Sequence, residues 1–210
     1  MDRQRRAKAR GMKIIVVGSE GTIGAAVVRA LAARHEVIGV SRHTQPRVDV
    51  EDPRTITALF DAVADVDAVV GCAGNAAFKP LAQLASADFE YSIKSKLMGQ
   101  VGLIQAALAR LKDGGSVTVT SGDLARMPAV GSGAVSLVNA GLEGFVRLAA
   151  LEAPRGIRVN VVSPPWVKET LLKLKMDPAP GLSAADVAKA YVAAVEGKHQ
   201  GQTLEPAAFL

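Results

Sequence analysis

Short apolar segments alternate with longer amphipathic segments along nearly the whole chain. The first pair is Lys13–Val17, a strand pattern that stops at a glycine, and 22–34, where apolar residues recur at helical spacing. Repeats of strand and helix fold into a parallel sheet with helices on both faces. Hydrophobic residues make up 49% of the chain and aromatic residues 4%, which suits strands buried on both sides. The predicted fold class is a doubly wound α/β sheet of the Rossmann type.

The same patterns predict the remaining elements. The expected strands are 36–40, 47–50, 67–72, 116–121, 157–162 and an edge strand at 202–204. The expected helices are 53–63, 86–111, 136–152 and 183–196. No repeat or low-complexity linker divides the chain, so we expect residues 12–210 to form one dinucleotide-binding domain.

The positive charge of the chain is concentrated at its start. Five of the first ten residues are Lys or Arg and one is Asp, so they carry four of the five net positive charges. We interpret 1–11 as a disordered basic extension, with an anion-binding arm as the alternative. The remainder is nearly neutral, which argues against a nucleic-acid-binding face.

No apolar run approaches the ~20 residues that span a bilayer, and the single cysteine permits no internal disulfide. A cytoplasmic protein without a membrane partner is expected.

The turn after the first strand is rich in glycine. It reads Gly18-Ser19-Glu20-Gly21-Thr22-Ile23-Gly24 and leads directly into the first helix. Such a turn lets the backbone approach a pyrophosphate, which then lies on the free N–H groups of the helix N-terminus. The spacing is G-x-x-G-x-x-G rather than G-x-G-x-x-G, and an ordinary glycine-rich turn is the alternative. We predict dinucleotide binding by Gly18, Ser19, Gly21, Thr22, Ile23 and Gly24.

The second strand is followed by Ser41-Arg42. An NAD site usually places an acidic residue about 20 residues past the loop to bind the ribose 2′-hydroxyl. A guanidinium is instead suited to a 2′-phosphate, so Ser41 and Arg42 predict NADP(H), with NAD(H) less favoured. An unpartnered surface arginine is the alternative interpretation.

Several further segments resemble the short-chain dehydrogenase/reductase family. They are Gly18–Gly24, Asp49-Val50, Gly71-Cys72-Ala73-Gly74, Leu142-Glu143-Gly144-Phe145 and Ile157-Arg158-Val159-Asn160-Val161-Val162-Ser163-Pro164. The resemblance implies a cofactor across the carboxyl ends of the strands, with the substrate beside the nicotinamide. It implies cofactor contacts for Asp49, Val50, Cys72, Ala73, Gly74, Asn139, Pro164 and Val167. It also implies a homodimer or homotetramer formed through helices 86–111 and 136–152, and a substrate lid at 168–182.

The expected catalytic positions depart from the family pattern of Ser, Tyr-x-x-x-Lys and a long-helix Asn. Aligned on the 142–145 motif, the tyrosine position falls on Val135 and the lysine position on Asn139. The long-helix asparagine falls on Lys96, and the serine falls on Gly122, next to Ser121. Atypical relatives share this loss. The two tyrosines, at positions 91 and 191, are distant in sequence from these motifs.

The residues that remain can still support a reduction. We assign Lys96 as proton donor or electrostatic stabiliser and Ser121 as hydrogen-bond donor, with Asn139 bonding a ribose hydroxyl. The alternatives are a solvated charge at Lys96 and a serine that bonds the backbone at Ser121. Lys94 and Lys96 are two residues apart and so face different sides of a helix. Asp123 is a weaker candidate for lining the cleft.

The expected function is an NADP(H)-dependent oxidoreductase acting on a small carbonyl or alcohol substrate. The alternative is a non-catalytic NADP(H)-binding sensor or partner-binding protein. No metal is expected, because His35, His43 and His199 are scattered over different elements. Cys72 is interpreted as a buried, inert thiol.

Overall fold

The computed structural model describes residues 11–210. The basic segment 1–10, most of the extension expected from the sequence, lies outside the described residues. Gly11, the last residue of that expected extension, lies against the backbone of Arg34 and His35.

A parallel sheet forms the centre of the molecule. Its strands are β1 (Lys13–Val17), β2 (Glu36–Val40), β3 (Ala68–Gly71), β4 (Ser116–Thr120), β5 (Arg158–Val162) and β6 (Thr203–Leu204). They lie in the order β2-β1-β3-β4-β5-β6, and all five pairings are parallel. The direction of winding reverses between β1 and β3, and ligands of open α/β sheets bind in the crevice at such a point. The predicted fold class is confirmed.

Helices cover both faces of this sheet. They are α1 (Thr22–Ala32), α2 (Pro53–Ala62), α3 (Ser86–Ser92), α4 (Gly99–Arg110), α5 (Gly133–Glu152), α6 (Lys168–Lys173) and α7 (Ala184–Glu196), with a π-helix at Ile93–Met98. One apolar core lies between the sheet and α1 with α7, where Tyr191 is fully buried. The other lies between the sheet and α2, α4 and α5. Successive side chains of each strand point alternately into these two cores, so both faces of the sheet are buried from solvent.

Segment 47–50 is not a strand of this sheet, so that prediction is wrong. It makes one isolated bridge, between Ser41 and Arg47, and the amide of Val48 donates to the carbonyl of Ser41 at 2.8 Å. The pairing ends there: the following amide, that of Asp49, points toward α2 and donates to the side chain of Thr55 at 3.0 Å. The segment therefore leads into the N-cap of α2 and leaves Asp49 and Val50 at the mouth of the cleft.

The predicted helix 86–111 is interrupted by the π-helix. Two serine hydroxyls on this stretch bond the loop after β3: Ser92 accepts from the amide of Ala77 at 2.9 Å, and Ser95 accepts from that of Asn75 at 3.1 Å. Single π turns inside helices are common at functional sites. Helical periodicity in the sequence does not reveal such an insertion.

Helix α5 is long and apolar enough to cross a membrane by length and composition, which the sequence expectation did not anticipate. Three of its residues, Val138, Leu142 and Val146, are fully buried, and Leu142 and Val146 belong to the core on that face of the sheet. Its apolar character therefore reflects core packing and the exposed leucines considered below.

Candidate functional site

The glycine loop is held tightly between β1 and α1. Gly18 adopts φ +85°, a left-handed conformation that favours glycine, and its amide donates to the carbonyl of Val40 at 2.8 Å. The amide of Ser19 donates to the same carbonyl at 3.2 Å. A Cβ on Gly24 would overlap the carbonyl oxygen of Gly18. Side chains are excluded at these positions, so bare backbone lies close to the crevice.

The N-terminus of α1 offers free donors to an anion. The first intrahelical bond runs from the amide of Ala25 to the carbonyl of Gly21, at 2.9 Å, which leaves the amides of residues 22–24 without a partner in the helix. The first turn holds no acidic residue and no side chain caps it. The ammonium group of Lys173, on α6, lies beside this turn, where its Nζ donates to Oγ1 of Thr22 at 2.8 Å. This surface matches a pyrophosphate.

A cleft of about 330 Å³ opens at the carboxyl ends of β1, β2 and β3. Nine of the sixteen predicted cofactor residues line it: Gly18, Gly21, Ser41, Arg42, Asp49, Val50, Cys72, Ala73 and Gly74. The sequence analysis missed six lining residues: Glu20, His43, Val48, Glu51, Asn75 and Ser95. Each of these residues is adjacent in the sequence to a predicted site residue. The directions of their side chains, however, depend on loop geometry, which the sequence spacing does not define.

Two loops set the walls of the cleft. The carboxylate of Asp49 is oriented by the amide of Glu51, which donates at 3.1 Å. Gly74 adopts φ +122°, and a Cβ there would lie 2.9 Å from the Cα of Lys96. The turn after β3, which lines the cleft, therefore rests directly on the π-helix that carries Lys96.

Lys96 is not among the residues that line the cleft, but it follows Ser95, which is, and its side chain extends to the end of β4. Its Nζ donates to the carbonyl of Ser121 at 3.2 Å, and burial lowers its pKa to about 8. Lys94 has a different partner, the carboxylate of Glu51, which lies 3.8 Å from its Nζ, and its side chain is 68% exposed. The expectation that the two lysines face different sides is confirmed. An ammonium with a pKa near neutrality can both give and regain a proton at physiological pH.

Ser121 does not present its hydroxyl to the cleft. Its side chain is buried and donates to the carboxylate of Glu143 at 2.8 Å, while Arg126 donates to the other oxygen of that carboxylate at 2.7 Å. Glu143 is itself buried, so it needs both donors. The structure thus gives Ser121 a partner inside the protein, where the sequence analysis expected a substrate.

Asn139 is buried behind Gly122. Its Nδ2 donates to the carbonyl of Gly122 at 3.4 Å, and its Oδ1 has no hydrogen-bond partner among the described residues. An orphaned buried acceptor is costly unless a ligand satisfies it. Together with the glycine cradle, this acceptor fits a ligand that carries ribose hydroxyls and a pyrophosphate, as a nicotinamide dinucleotide does.

Tyr191 lies close to the end of β4, although it is distant in the sequence. Its phenol is 2.6 Å from Oγ1 of Thr120, which also donates to the carbonyl of Gly71 at 2.6 Å. Burial raises the pKa of Tyr191 well above its usual value and that of Cys72 to about 12. Both groups therefore stay protonated at neutral pH, which agrees with the interpretation of Cys72 as inert, although Cys72 is half-buried and lines the cleft rather than fully buried as expected.

The segment after β5 closes the other side of the crevice. The carbonyl of Pro164 accepts from the amide of Asp123 at 3.0 Å, and burial raises the pKa of the Asp123 carboxyl. Val167 is buried and belongs to the core beneath α7. Trp166 contacts Phe78 edge to face, with 5.8 Å between the ring centroids. Helix α6 lies within the expected lid 168–182.

No group of three or more His, Cys, Asp or Glu side chains within residues 11–210 has the arrangement of a metal site.

Comparisons with known proteins agree with this geometry. A family profile described as Enoyl-(Acyl carrier protein) reductase matches residues 4–200. Versicolorin reductase stcU from Emericella nidulans is 27% identical over 184 residues, which cover 75% of this chain and 70% of that protein. Hydroxynaphthalene reductase-like protein Arp2 from Metarhizium brunneum is 28% identical over 134 residues, which cover 61% of this chain and 50% of Arp2.

Solved structures extend the likeness over the whole described domain. The protein lin1944 from Listeria innocua is 35% identical, with a TM-score of 0.87, and the match covers 93% of this chain and 99% of lin1944. A small-chain dehydrogenase solved in complex with NADPH is 24% identical, with a TM-score of 0.81, over 93% of this chain and 96% of that one; at this identity the likeness concerns the fold. The chain is an oxidoreductase that belongs to the short-chain dehydrogenase/reductase family.

Proposed function

We propose that the protein is an NADP(H)-dependent reductase of a small carbonyl substrate, with Lys96 as the proton donor. The observation that carries the proposal is the hydrogen bond from Nζ of Lys96 to the carbonyl of Ser121, just past the end of β4, together with the Lys96 pKa lowered to about 8. A cytoplasmic location, without nucleic-acid or membrane partners, remains part of the proposal.

The cofactor would supply the hydride, and the chain would bind and orient it. The amides of Thr22, Ile23 and Gly24 suit the pyrophosphate, with Lys173 beside them. Asn139 Oδ1 suits a ribose hydroxyl. Ser41 and Arg42 line the outer end of the cleft, where a 2′-phosphate would lie. A homologous fold that binds NADPH supports this choice of cofactor.

The proton would come from Lys96. A positioned general acid contributes roughly 10²–10⁴ in rate, and it does so best when its pKa is near the working pH. Ser121 cannot easily take this role, because its hydroxyl donates to Glu143. The relatives named as reductases support the direction of the reaction, whereas the substrate itself stays open.

The proposal is tested by following the loss of NADPH with a panel of aldehydes, ketones and quinones. Slow, saturable oxidation of NADPH that requires one of these substrates supports it. Tight binding of NADPH with no turnover on any member of the panel would reject it.

That second outcome defines the alternative function, a non-catalytic NADP(H) sensor. Three observations favour it: Val135 stands at the tyrosine position, Tyr91 is distant in sequence, and the phenol of Tyr191 is buried and bonded to Thr120. Such a protein would still bind the cofactor through the same loop.

We also propose a homodimer or homotetramer. Helix α5 exposes three leucines that the core does not use, with Leu137 47%, Leu148 50% and Leu151 85% exposed. Exposed large apolar side chains on one helix commonly mark a protein interface. Light scattering at micromolar concentration is expected to give at least twice the chain mass of 21.8 kDa, and replacing Leu148 and Leu151 by Lys should give monomer. A monomeric wild-type protein would contradict the proposal.

A further inference from the structure

Glu20 belongs to the glycine loop, but its side chain reaches the end of β2. Its carboxylate accepts a hydrogen bond from Oγ of Ser41 and lies 3.3 Å from Nδ1 of His43. The same cleft wall contains Arg42. Glu20 remains 53% exposed, so a ligand entering the cleft can contact it.

This location is where an α/β dinucleotide site usually holds an acid. In most NAD sites that acid follows the second strand and accepts a hydrogen bond from the ribose 2′-hydroxyl. Here the residues after β2 supply no acid, and the loop supplies one to the same place. The hydrogen bond from Ser41 lowers the pKa of Glu20, so the group is anionic at neutral pH.

We propose that Glu20 is a specificity-determining residue that opposes Arg42 in the choice between NADH and NADPH. This inference rests on the proposed dinucleotide-binding function. A 2′-hydroxyl can donate directly to the Glu20 carboxylate. A 2′-phosphate must instead compete with that carboxylate for Ser41 and lie beside a second negative charge, while Arg42 attracts it. The wild-type preference for NADPH is therefore weaker than Arg42 alone would produce.

The test measures dissociation constants of NADPH and NADH by titrating the fluorescence of Trp166, the single tryptophan of the chain. Glu20→Gln should tighten NADPH binding by about tenfold, which is the effect of removing one like-charge contact of about 1.4 kcal/mol, and should leave NADH unchanged or weaker. Arg42→Ala should weaken NADPH and spare NADH.

Glu36→Gln is the matched control. Glu36 carries the same charge, but it is exposed at the amino end of β2, outside the cleft, where its neighbour is Lys13 at 4.0 Å. Its substitution should leave the ratio of the two dissociation constants unchanged. Adenosine 2′,5′-bisphosphate and adenosine 5′-monophosphate, which lack the nicotinamide, should show the same selective response to Glu20→Gln.

The possible outcomes separate this inference from the function beneath it. If the wild-type protein binds both dinucleotides and Glu20→Gln changes their affinities equally or not at all, the role of Glu20 is wrong while the proposed function stands. If the wild-type protein binds neither dinucleotide, the proposed function fails and this inference fails with it.

Discussion

Gly24→Ala is expected to abolish dinucleotide binding. The new methyl group would overlap the carbonyl oxygen of Gly18, so the loop and α1 must move apart. That movement displaces the amides that face the pyrophosphate. Overpacking of this kind costs roughly 1–3 kcal/mol of stability, and each kcal/mol lowers the melting temperature by about 2–4 °C in a chain of this size. Melting curves with and without saturating NADPH measure both effects.

Gly144→Ala is the control for this experiment. Gly144 lies within α5, and a Cβ there would meet only Nη2 of Arg147, at 3.7 Å. Alanine in a helix interior is favoured over glycine by about 0.5–1 kcal/mol, so this variant should melt slightly higher and bind NADPH normally. If NADPH stabilises Gly24→Ala as strongly as it stabilises the wild type, the loop is not the pyrophosphate site.

Lys96→Met is expected to lower the turnover number by roughly 10²–10⁴ while leaving cofactor affinity nearly unchanged. Below pH 8 the wild-type ammonium is protonated and can donate, so the rate of reduction should fall as pH rises through about 8, the pKa of Lys96. The variant should lose that part of the pH profile. Lys96→Arg keeps the charge but does not release a proton in this range, so it should not restore the rate.

Two variants separate this role from general disturbance of the cleft. Lys94→Met removes an exposed ammonium two residues away and should leave the pH profile intact. Asn139→Ala should weaken cofactor binding more than it lowers turnover at saturation, because its free Oδ1 suits a ribose hydroxyl. An unchanged turnover number and pH profile in Lys96→Met would reject Lys96 as the proton donor.

The fold could be predicted because its signals are local. Each strand is a short apolar run, and the glycine turn combines with the following amphipathic helix into one supersecondary unit. The prediction of a strand at 47–50 was wrong because the pairing with β2 ends after the single Ser41–Arg47 bridge and the chain then turns into the N-cap of α2, where Asp49 bonds Thr55. Helix α6 was not predicted, because six residues give too little periodicity to be recognised.

The sequence predicts those site residues whose location follows from their position at the end of a strand. The glycine loop and the ends of β2 and β3 were identified because parallel strands end at one edge of the sheet. The sequence could not show that Glu20 bends back to Ser41 or that Ser121 turns toward Glu143. Both contacts join side chains that are distant in the sequence, and the spacing of residues along the chain does not reveal such pairs.

Trp166 provides the most direct test of the central claim, that this chain binds a reduced nicotinamide dinucleotide along the carboxyl edge of its sheet. The residue lies after β5, in contact with Phe78 and between Pro164 and Val167, two of the predicted cofactor contacts. Excitation of Trp166 in the presence of NADPH should give saturable energy transfer to the bound nicotinamide, with one site per chain, and should give none with Gly24→Ala. The absence of saturable transfer from folded wild-type protein to both NADPH and NADH would contradict the account.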